Sequence, residues 1–331
     1  MKKYLAAALA LAGIIACNKV EITGPQANPE IAFADSFVEI KTRTAEDPSI
    51  TTGTITAFDA WSFMDDTKAL ILNKERVTKV NDAWEYKNLQ YWLPSHTYYF
   101  GAIAPVDHTN ISVSTTDANK HGLGTVTFTN LDGTDDLIYA SKSVTTGADV
   151  INNAPGKISL QFAHLLSKVK FTFVNGFSTE NATLAVRNIK MIVPKAGTIT
   201  LAQESWWTKD SWTMTEDGLT LDFGSVNGGN VLAATKGDEC AYERLTIPTD
   251  DKYTYTITFD VALYMGTYET PAYTTTRTVT LTGQALKIGK NYYFKTVIGP
   301  ENIHPDGPLK PIEFDVITVN SWEEGTAATI L

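Results

Sequence analysis

Cysteine is nearly absent from this sequence, since Cys17 and Cys240 are the only two in 331 residues. No C-x-x-C pair is present, and the disulfide framework that holds many small secreted domains together cannot form. We therefore expect a fold that is stabilised by its hydrophobic core.

Familiar catalytic and cofactor-binding patterns are also missing. The chain has no G-x-S-x-G elbow, H-E-x-x-H helix, Walker loop or dinucleotide-binding glycine pattern. Its five histidines lie far apart, and none pairs at the spacing of metal ligands. We predict no catalytic residue, metal site or cofactor, and a hydrolase is the least favoured hypothesis because no nucleophile can be matched with a base.

One short stretch of the sequence is rich in aspartate and could be read as a calcium-binding loop. The stretch LDGTDD contains Asp132, Asp135 and Asp136, but it lacks the alternating ligands and the closing glutamate of a calcium loop. This pattern favours a solvated hairpin turn.

Long apolar runs are absent except at the start of the chain. Lys2 and Lys3 precede an apolar run from Tyr4 to Ala16, which is shorter than the roughly 20 residues of a membrane-spanning helix. The run ends in Ile-Ile-Ala-Cys, a pattern typical of a bacterial lipoprotein signal. We predict a signal peptide over residues 1–16 and a lipid-modified Cys17, with a plain secretory signal as the alternative.

Positive charge is scarce in the rest of the chain. Loss of Lys2 and Lys3 from the 27 basic residues leaves 25 against 37 acidic ones, a formal net charge of −12. A surface of this sign repels nucleic acid, so we expect no nucleic-acid partner.

The length indicates more than one domain. About 315 residues remain after the signal, more than one core usually serves. Turn-forming residues cluster in NGFSTENAT near Asn175. We predict a tether over residues 17–30, one domain over residues 31–175 and a second over residues 176–331.

Strand patterns dominate the chain. In KYTYTITFDVALYM, the apolar residues from Tyr253 to Leu263 occupy alternate positions, which is the period of a half-buried strand. Turn signals recur about every ten residues and favour antiparallel sandwiches over parallel βαβ units. The only helix that we consider is a short one from Thr67 to Val77.

The last strand-like segment, PIEFDVITVNSWEEG, changes its apolar face midway. Ile312 and Phe314 begin an even-numbered set that ends at Val316, whereas Ile317 and Val319 are odd-numbered. A bulge, burial on both faces, or contact of the two halves with different partners would each explain the change. A terminal strand is also well suited to pair with the open sheet edge of another chain.

Three tryptophans in ESWWTKDSW, namely Trp206, Trp207 and Trp212, offer a candidate aromatic platform for a sugar ligand. Because neighbours in a strand point to opposite faces, core packing or a subunit contact is the alternative.

A single arginine stands in an open joint near the N-terminus. Arg43 lies in EIKTRTAEDPS, between the strand-like segment Ile31–Ile40 and the strands that begin near Gly53. Pro48 and its polar neighbours disfavour extension of the strand through the joint, so we expect Arg43 to be accessible to a protease.

Several of these features, in this order, resemble the fimbrillins, the subunits of type V pili. The resemblance is carried by the lipoprotein signal, by IKTRT, by LPSHTYYFGAIAP, by DLIYA followed by KISLQFAHLLSKVKFTFVN, and by LKIGKNYYFKTVI followed by IEFDVITVNSWEEG. Together these motifs span most of the chain.

The resemblance implies an all-β protein with two transthyretin-like antiparallel β-sandwich domains, exported as an outer-membrane lipoprotein anchored to lipid through Cys17. It further implies that an arginine-specific protease cuts between Arg43 and Thr44 and that the strand Ile31–Ile40 then leaves. Its departure would open a hydrophobic groove, which the terminal strand of the next fimbrial subunit would fill. The resulting fimbria would support cell-surface adhesion. The donor residues would be Ile312, Phe314, Val316, Ile317, Val319 and Trp322. The alternative is a surface lipoprotein that binds a glycan or host ligand and does not polymerise.

Overall fold

The computed structural model describes residues 27–34, 37–38, 55–65, 70–120, 122–201, 212–267, 269–303 and 309–319. These residues form twenty strands, one short helix, α1 (Pro300–Ile303), and one 3₁₀ turn (Asn227–Gly229). Within them, no helix combines the length and apolar character needed to cross a membrane. The all-β prediction is confirmed.

A seven-stranded sheet dominates the N-terminal half. Its spatial order is β1-β9-β8-β5-β2-β3-β4. The strands are β1 (Phe37–Val38), β2 (Ala57–Met64), β3 (Leu70–Val80), β4 (Ala83–Glu85), β5 (Thr97–Ala104), β8 (Ile138–Thr145) and β9 (Gln161–His164).

The interior strand β2 is buried on both faces, and six of the eight residues in its sequence AFDAWSFM are apolar. On one face, Phe58 and Ala60 join an aromatic-rich core with Phe100. On the other face, Trp61 joins a second core with Ile103. The sheet is thus the middle layer of this half.

A four-stranded antiparallel sheet covers the second face. Its order is β13-β12-β7-β6, and its strands are β6 (Ile111–Ser114), β7 (Thr125–Thr129), β12 (Ala196–Thr200) and β13 (Trp212–Glu216). Leu123 packs tightly against Gly101 of β5, where an added Cβ would lie 2.3 Å from the leucine side chain.

Two further sheets form a sandwich from the C-terminal half. One has the order β14-β11-β17-β18, and the other has β15-β10-β19-β20 with β16 also paired to β10. Their strands are β10 (Ser167–Asn175), β11 (Ala182–Val193), β14 (Leu219–Gly224), β15 (Gly237–Glu239), β16 (Arg244–Thr246), β17 (Tyr255–Met265), β18 (Tyr273–Leu281), β19 (Asn291–Ile298) and β20 (Asp315–Val319). The alternation predicted for β17 is confirmed, since Tyr255, Ile257 and Phe259 lie in the core between these sheets.

Two features differ from the sequence predictions. The predicted helix from Thr67 to Val77 is wrong, because residues 70–80 form β3, which pairs with β2. Tertiary pairing here outweighs the helix preference of its lysine, glutamate and leucine residues. In addition, β10 and β19 pair in parallel over eight residues, a long-range contact that no local signal indicated.

The boundary predicted after Asn175 remains a prediction. Strand β10 precedes it and pairs with β19, whereas the β12–β13 hairpin follows it and pairs with β7. The halves are also joined at Asn130, whose amide donates to the Leu245 carbonyl at 2.8 Å.

We predict that Asn175→Ala lowers the free energy of unfolding by about 2 to 4 kcal/mol, because it removes side-chain hydrogen bonds to three buried main-chain groups. The fully buried Asn175 amide donates to the carbonyls of Ala182 and Leu232, each at 2.9 Å, and accepts from the Phe177 N–H at 3.0 Å. Urea unfolding checks the prediction. The nearby exposed Asn181→Ala is the control, and equal effects of the two changes would contradict it.

Candidate assembly interface

The N-terminal segment lies between two other parts of the chain, residues 90–92 and Ile158. On one side, the Ile31 N–H donates to Gln90 O at 2.8 Å and the Trp92 N–H donates to Pro29 O at 2.9 Å. On the other side, the Ala34 N–H donates to Ile158 O, and the Ile158 N–H donates to Ala32 O, both at 2.8 Å. The segment is therefore held by main-chain bonds along both edges.

Parallel pairing continues this contact toward the end of the segment. Phe33 bridges Ile158 in parallel, and β1 then pairs in parallel with β9, with Phe37 opposite Gln161. In the described part of the predicted removable strand, residues 31–34 are thus bonded on both sides, and residues 37–38 form the edge strand beside β9.

Two side chains of this segment enter the aromatic-rich core. Ile31 is completely buried, and Phe33 is 2% exposed. The Phe33 ring makes edge contacts with Phe58 at 5.4 Å, Tyr86 at 5.8 Å and Phe100 at 6.3 Å between centroids. These contacts define an apolar slot that the segment fills.

The Tyr86 hydroxyl fixes the register of the segment in the slot. It donates to the Ile31 carbonyl at 2.6 Å and accepts from the Gln90 N–H at 3.2 Å. Burial raises the pKa of this phenol, so the hydroxyl keeps its proton at neutral pH.

The predicted processing and anchoring residues Cys17, Arg43 and Thr44 lie outside the described residues. The described residues stop at Val38 and resume at Ile55, two residues before β2. In the sequence, the site of the predicted cut is thus flanked by the slot-filling segment and by an interior strand of the first sheet.

At the other end of the chain, β20 occupies an edge of the sheet in the C-terminal sandwich. It pairs antiparallel with β19, from Asp315 opposite Lys295 to Val319 opposite Asn291. The register is regular throughout, so the bulge considered for the change of apolar face at Val316 is wrong. The other two explanations stay open.

The residues that precede β20 anchor it to the sandwich core. Ile312 is 5% exposed, and the Phe314 ring contacts Phe171 at 5.6 Å and Phe173 at 5.8 Å between centroids. Val316 is partly buried against the same core. The predicted donor residues Ile312, Phe314 and Val316 therefore pack within their own chain, while Trp322 and the side chains of Ile317 and Val319 lie outside the described part of the structure.

Trp212 is the one described member of the predicted aromatic platform, because Trp206 and Trp207 lie outside the described residues. Its indole N–H donates to Leu165 O at 2.9 Å, and its ring packs against the core beneath β12. This ring is half-buried and serves the fold, while the ligand-platform hypothesis for the group stays a prediction.

The acidic cluster is divided among separate partners. Asp132 accepts hydrogen bonds within its own turn, Asp135 accepts one from Asn110 at 2.9 Å, and Asp136 pairs with His164 Nδ1 at 2.7 Å. No group of three or more metal-ligating side chains occurs in the described part of the chain.

A cleft of about 510 Å³ lies beside this cluster, where the two halves of the chain meet. Its aliphatic wall includes Ile55, Ile138 and Leu245, and its charged groups include Lys168 and Glu243, which pair at 3.2 Å. This ion pair lies within the C-terminal sandwich, whereas the Leu245 N–H, which donates to Gly133 O at 2.8 Å, joins the halves beside the cleft.

Cys240, the described cysteine, lacks the properties of a nucleophile. It is 4% exposed, and burial raises the pKa of its thiol to about 11. A thiol with this pKa is almost fully protonated at neutral pH, and only the thiolate reacts readily.

These features define an all-β protein of several packed sheets, with a strand at the edge of a sheet near each end of the described chain. The profile of the fimbrillin-like family matches residues 42–322, and the chain belongs to this family. None of the curated proteins compared with the chain matches it.

Solved structures of other proteins are similar to this chain. A fimbrial protein from Bacteroides vulgatus ATCC 8482 is 15% identical, with a TM-score of 0.60 over 89% of this chain and 99% of that chain. A candidate cell adhesion protein from Bacteroides uniformis ATCC 8492 is 14% identical, with a TM-score of 0.45 over 89% of this chain and 98% of that chain. The B. vulgatus protein shares the fold of this chain.

We predict that Phe33→Ala lowers the free energy of unfolding of the N-terminal half by about 3 to 5 kcal/mol, because it empties a buried ring position. Urea unfolding followed by the fluorescence of Trp84 and Trp92, which lie in the same core, checks this. Tyr91→Ala removes an aromatic ring that is 48% exposed on the neighbouring segment and serves as the control. A loss below 1 kcal/mol for Phe33→Ala would show that the segment does not contribute to the core.

Proposed function

We propose that this protein is a structural or accessory subunit of a cell-surface fimbria, anchored by lipid on Cys17 and assembled by strand exchange. Membership of the fimbrillin-like family and the fold shared with a fimbrial protein support a fimbrial-type adhesion subunit at the cell surface that associates with other fimbrial subunits. They also favour a non-enzymatic role. The single observation that carries the strand-exchange step is the N-terminal segment in its slot.

The first proposed step is removal of that segment by a protease. Cleavage after Arg43 separates residues 17–43 from the body of the protein, and main-chain bonds and two apolar side chains then hold the segment in place. Burial of Ile31 and Phe33 contributes about 1.5 to 3 kcal/mol each, so the cut segment dissociates far more readily than the covalently attached one.

Loss of the segment opens an unpaired sheet position. The main-chain groups of Gln90, Trp92 and Ile158 lose their partners, and the rings of Phe58 and Phe100 become accessible. An incoming strand restores both kinds of contact at once, because it supplies main-chain bonds along its edges and side chains at alternate positions. The uncut segment prevents this, so it blocks strand exchange before processing.

The second proposed step is donation of the C-terminal strand to the slot of a neighbouring subunit. The strand has two halves: Ile312, Phe314 and Val316 contact the core of their own sandwich. We assign these residues to anchoring and the residues from Ile317 onward, including Val319 and Trp322, to the contact with the neighbour. This division follows the explanation of the change in apolar face in which the two halves of the strand contact different partners.

The division also avoids an unfavourable exchange. Withdrawal of Phe314 from its own core would forfeit ring contacts to Phe171, Phe173, Phe259 and Phe294. Emptying a buried phenylalanine position is unfavourable by about 3 to 5 kcal/mol, which the neighbour's slot would have to offset in full. A donor that begins after Val316 leaves that core intact.

We predict that an arginine-specific protease cuts the purified soluble protein to a product that begins at Thr44 and then forms oligomers. The soluble form lacks residues 1–16 and carries Cys17→Ser. N-terminal sequencing identifies the cut, and size-exclusion chromatography measures assembly. Arg43→Ala is the matched control, and it should stay uncut at this position and form none of the oligomers that cleavage produces.

Two outcomes separate the parts of this proposal. Resistance of Arg43 to the protease would reject the processing step and leave an accessory subunit that keeps its first strand. Efficient cleavage at Arg43 with no oligomer after the segment has been removed would reject strand exchange.

We predict that the double variant Ile317→Asp with Val319→Asp folds with little loss of stability but assembles at least tenfold more slowly after cleavage. Charged side chains at these positions disfavour entry into the apolar slot, whereas the anchoring residues are untouched. Lys310→Asp, an exposed residue that precedes the anchoring residues and changes the charge by the same amount, is the control and should assemble normally. Equal assembly of the double variant and the control would show that the donor does not begin here.

A further inference from the structure

The edge strand β18 offers a second, independent pairing surface. All nine of its residues pair with β17 in one register without a bulge, from Tyr273 opposite Leu263 to Leu281 opposite Tyr255. Within the described residues, β18 is the last strand of its sheet, since the order is β14-β11-β17-β18. One side of a long regular strand therefore faces outward without a strand beside it.

This edge lacks the usual protection against pairing. Sheet edges are commonly blocked by lysine, proline, bulges or very short strands. The sequence YTTTRTVTL contains no lysine, proline or glycine, and Arg277 is its only charged residue. The exposed positions are all threonines, namely Thr274, Thr276, Thr278 and Thr280.

The strand β18 is free of the acidic charge that dominates this chain, so a second copy can approach it edge to edge. The strand has no acidic residue, and the nearby Asp260 carboxylate accepts hydrogen bonds from Asn188 at 2.7 Å and Thr276 at 2.6 Å. The Arg277 guanidinium reaches toward the Lys310 carbonyl, 3.5 Å away, and so extends over the open side of the sandwich. Two such edges can approach each other without bringing acidic side chains of β18 together.

The strand is also self-complementary when it is turned antiparallel to itself. A twofold axis at Arg277 would place the two arginines directly opposite each other, which is unfavourable. An axis at Thr276 places Arg277 opposite Thr275, Thr274 opposite Thr278, and Tyr273 opposite Val279. The last is an aromatic pair with a β-branched residue, a favourable cross-strand combination.

We propose that two copies of this protein associate side by side through β18, with a twofold axis at Thr276. The two four-stranded sheets then form one eight-stranded sheet. The threonine pairs already present between β17 and β18, Thr256 with Thr280 and Thr258 with Thr278, continue across the new junction as Thr274 with Thr278.

The β18–β18 interface is small, so strong binding requires many copies of it. Seven paired residues span only about 24 Å, and an interface of this size gives weak association between single subunits. Many copies in register along two fibres would add their contacts and bind strongly. Lateral bundling of fibres is the expected consequence, and this extension to fibres rests on the proposed function, whereas the pairing of two chains does not.

Thiol cross-linking tests the proposed axis. The test protein lacks residues 1–16 and carries Cys17→Ser and Arg43→Ala, so that cleavage at Arg43 does not trigger strand exchange. Thr276→Cys places the two thiols opposite each other on the axis, and a short bifunctional thiol reagent should give a dimer that gel electrophoresis detects. Thr220→Cys, an exposed threonine in β14 at the other edge of the same sheet, is the control.

We expect dimer from Thr276→Cys at least tenfold faster than from Thr220→Cys. Thr276→Lys, which places like charges opposite each other, should weaken the self-association measured by sedimentation equilibrium at least tenfold while its thermal unfolding shows a folded protein. Equal cross-linking at Thr276 and Thr220, or self-association that Thr276→Lys leaves unchanged, would overturn the proposal. Because Arg43 is absent, these outcomes do not depend on whether strand exchange occurs.

Discussion

The need to pair every main-chain group at a buried sheet position governs this structure. Hydrogen bonds of the segment that contains Ile31 and Phe33 satisfy groups on both sides of it, and its side chains fill the space beneath. A strand of this kind cannot be omitted without leaving both unbonded polar groups and exposed aromatic rings. Whatever occupies the position must be another strand with apolar side chains at alternate positions.

The same constraint accounts for the different character of the two chain ends. The N-terminal segment has partners on both of its edges, whereas β20 is paired with β19 on one edge. Its anchoring residues, Ile312 and Phe314, precede the paired part of the strand and contact the sandwich core. An element built in this way can be fixed at its beginning and still present an open edge further along.

Much of the fold could be predicted from local sequence patterns, because period-2 alternation depends only on which residues face a core. The alternation from Tyr253 to Leu263 predicted β17, and the apolar start of the segment at Ile31 predicted a strand there. The helix predicted from Thr67 to Val77 was wrong. Its lysines and leucines favour a helix in isolation, but pairing with β2 makes residues 70–80 a strand. Propensity is a weak local preference that tertiary contacts override.

Less of the candidate site could be predicted from local sequence patterns. The sequence indicated an arginine in a polar joint and an apolar strand before it, but not that Tyr86 bonds to Ile31 or that β9 runs parallel to β1. Contacts of this kind join residues far apart in the chain, and no local pattern encodes them. Likewise, Trp212 belongs to an attractive aromatic cluster in the sequence, yet its indole bonds to Leu165 in the fold.

The parallel pairing of β10 with β19 has a consequence for the order in which the molecule is completed. Residues 167–175 form the centre of a sheet whose next strand is residues 291–298, so more than a hundred residues must be made between them. A chain that emerges from its N-terminus first can settle β2, β3 and β5 early, whereas β10 must wait with Phe171 and Phe173 unburied. The C-terminal sandwich can therefore close only after residues 291–298 have been made.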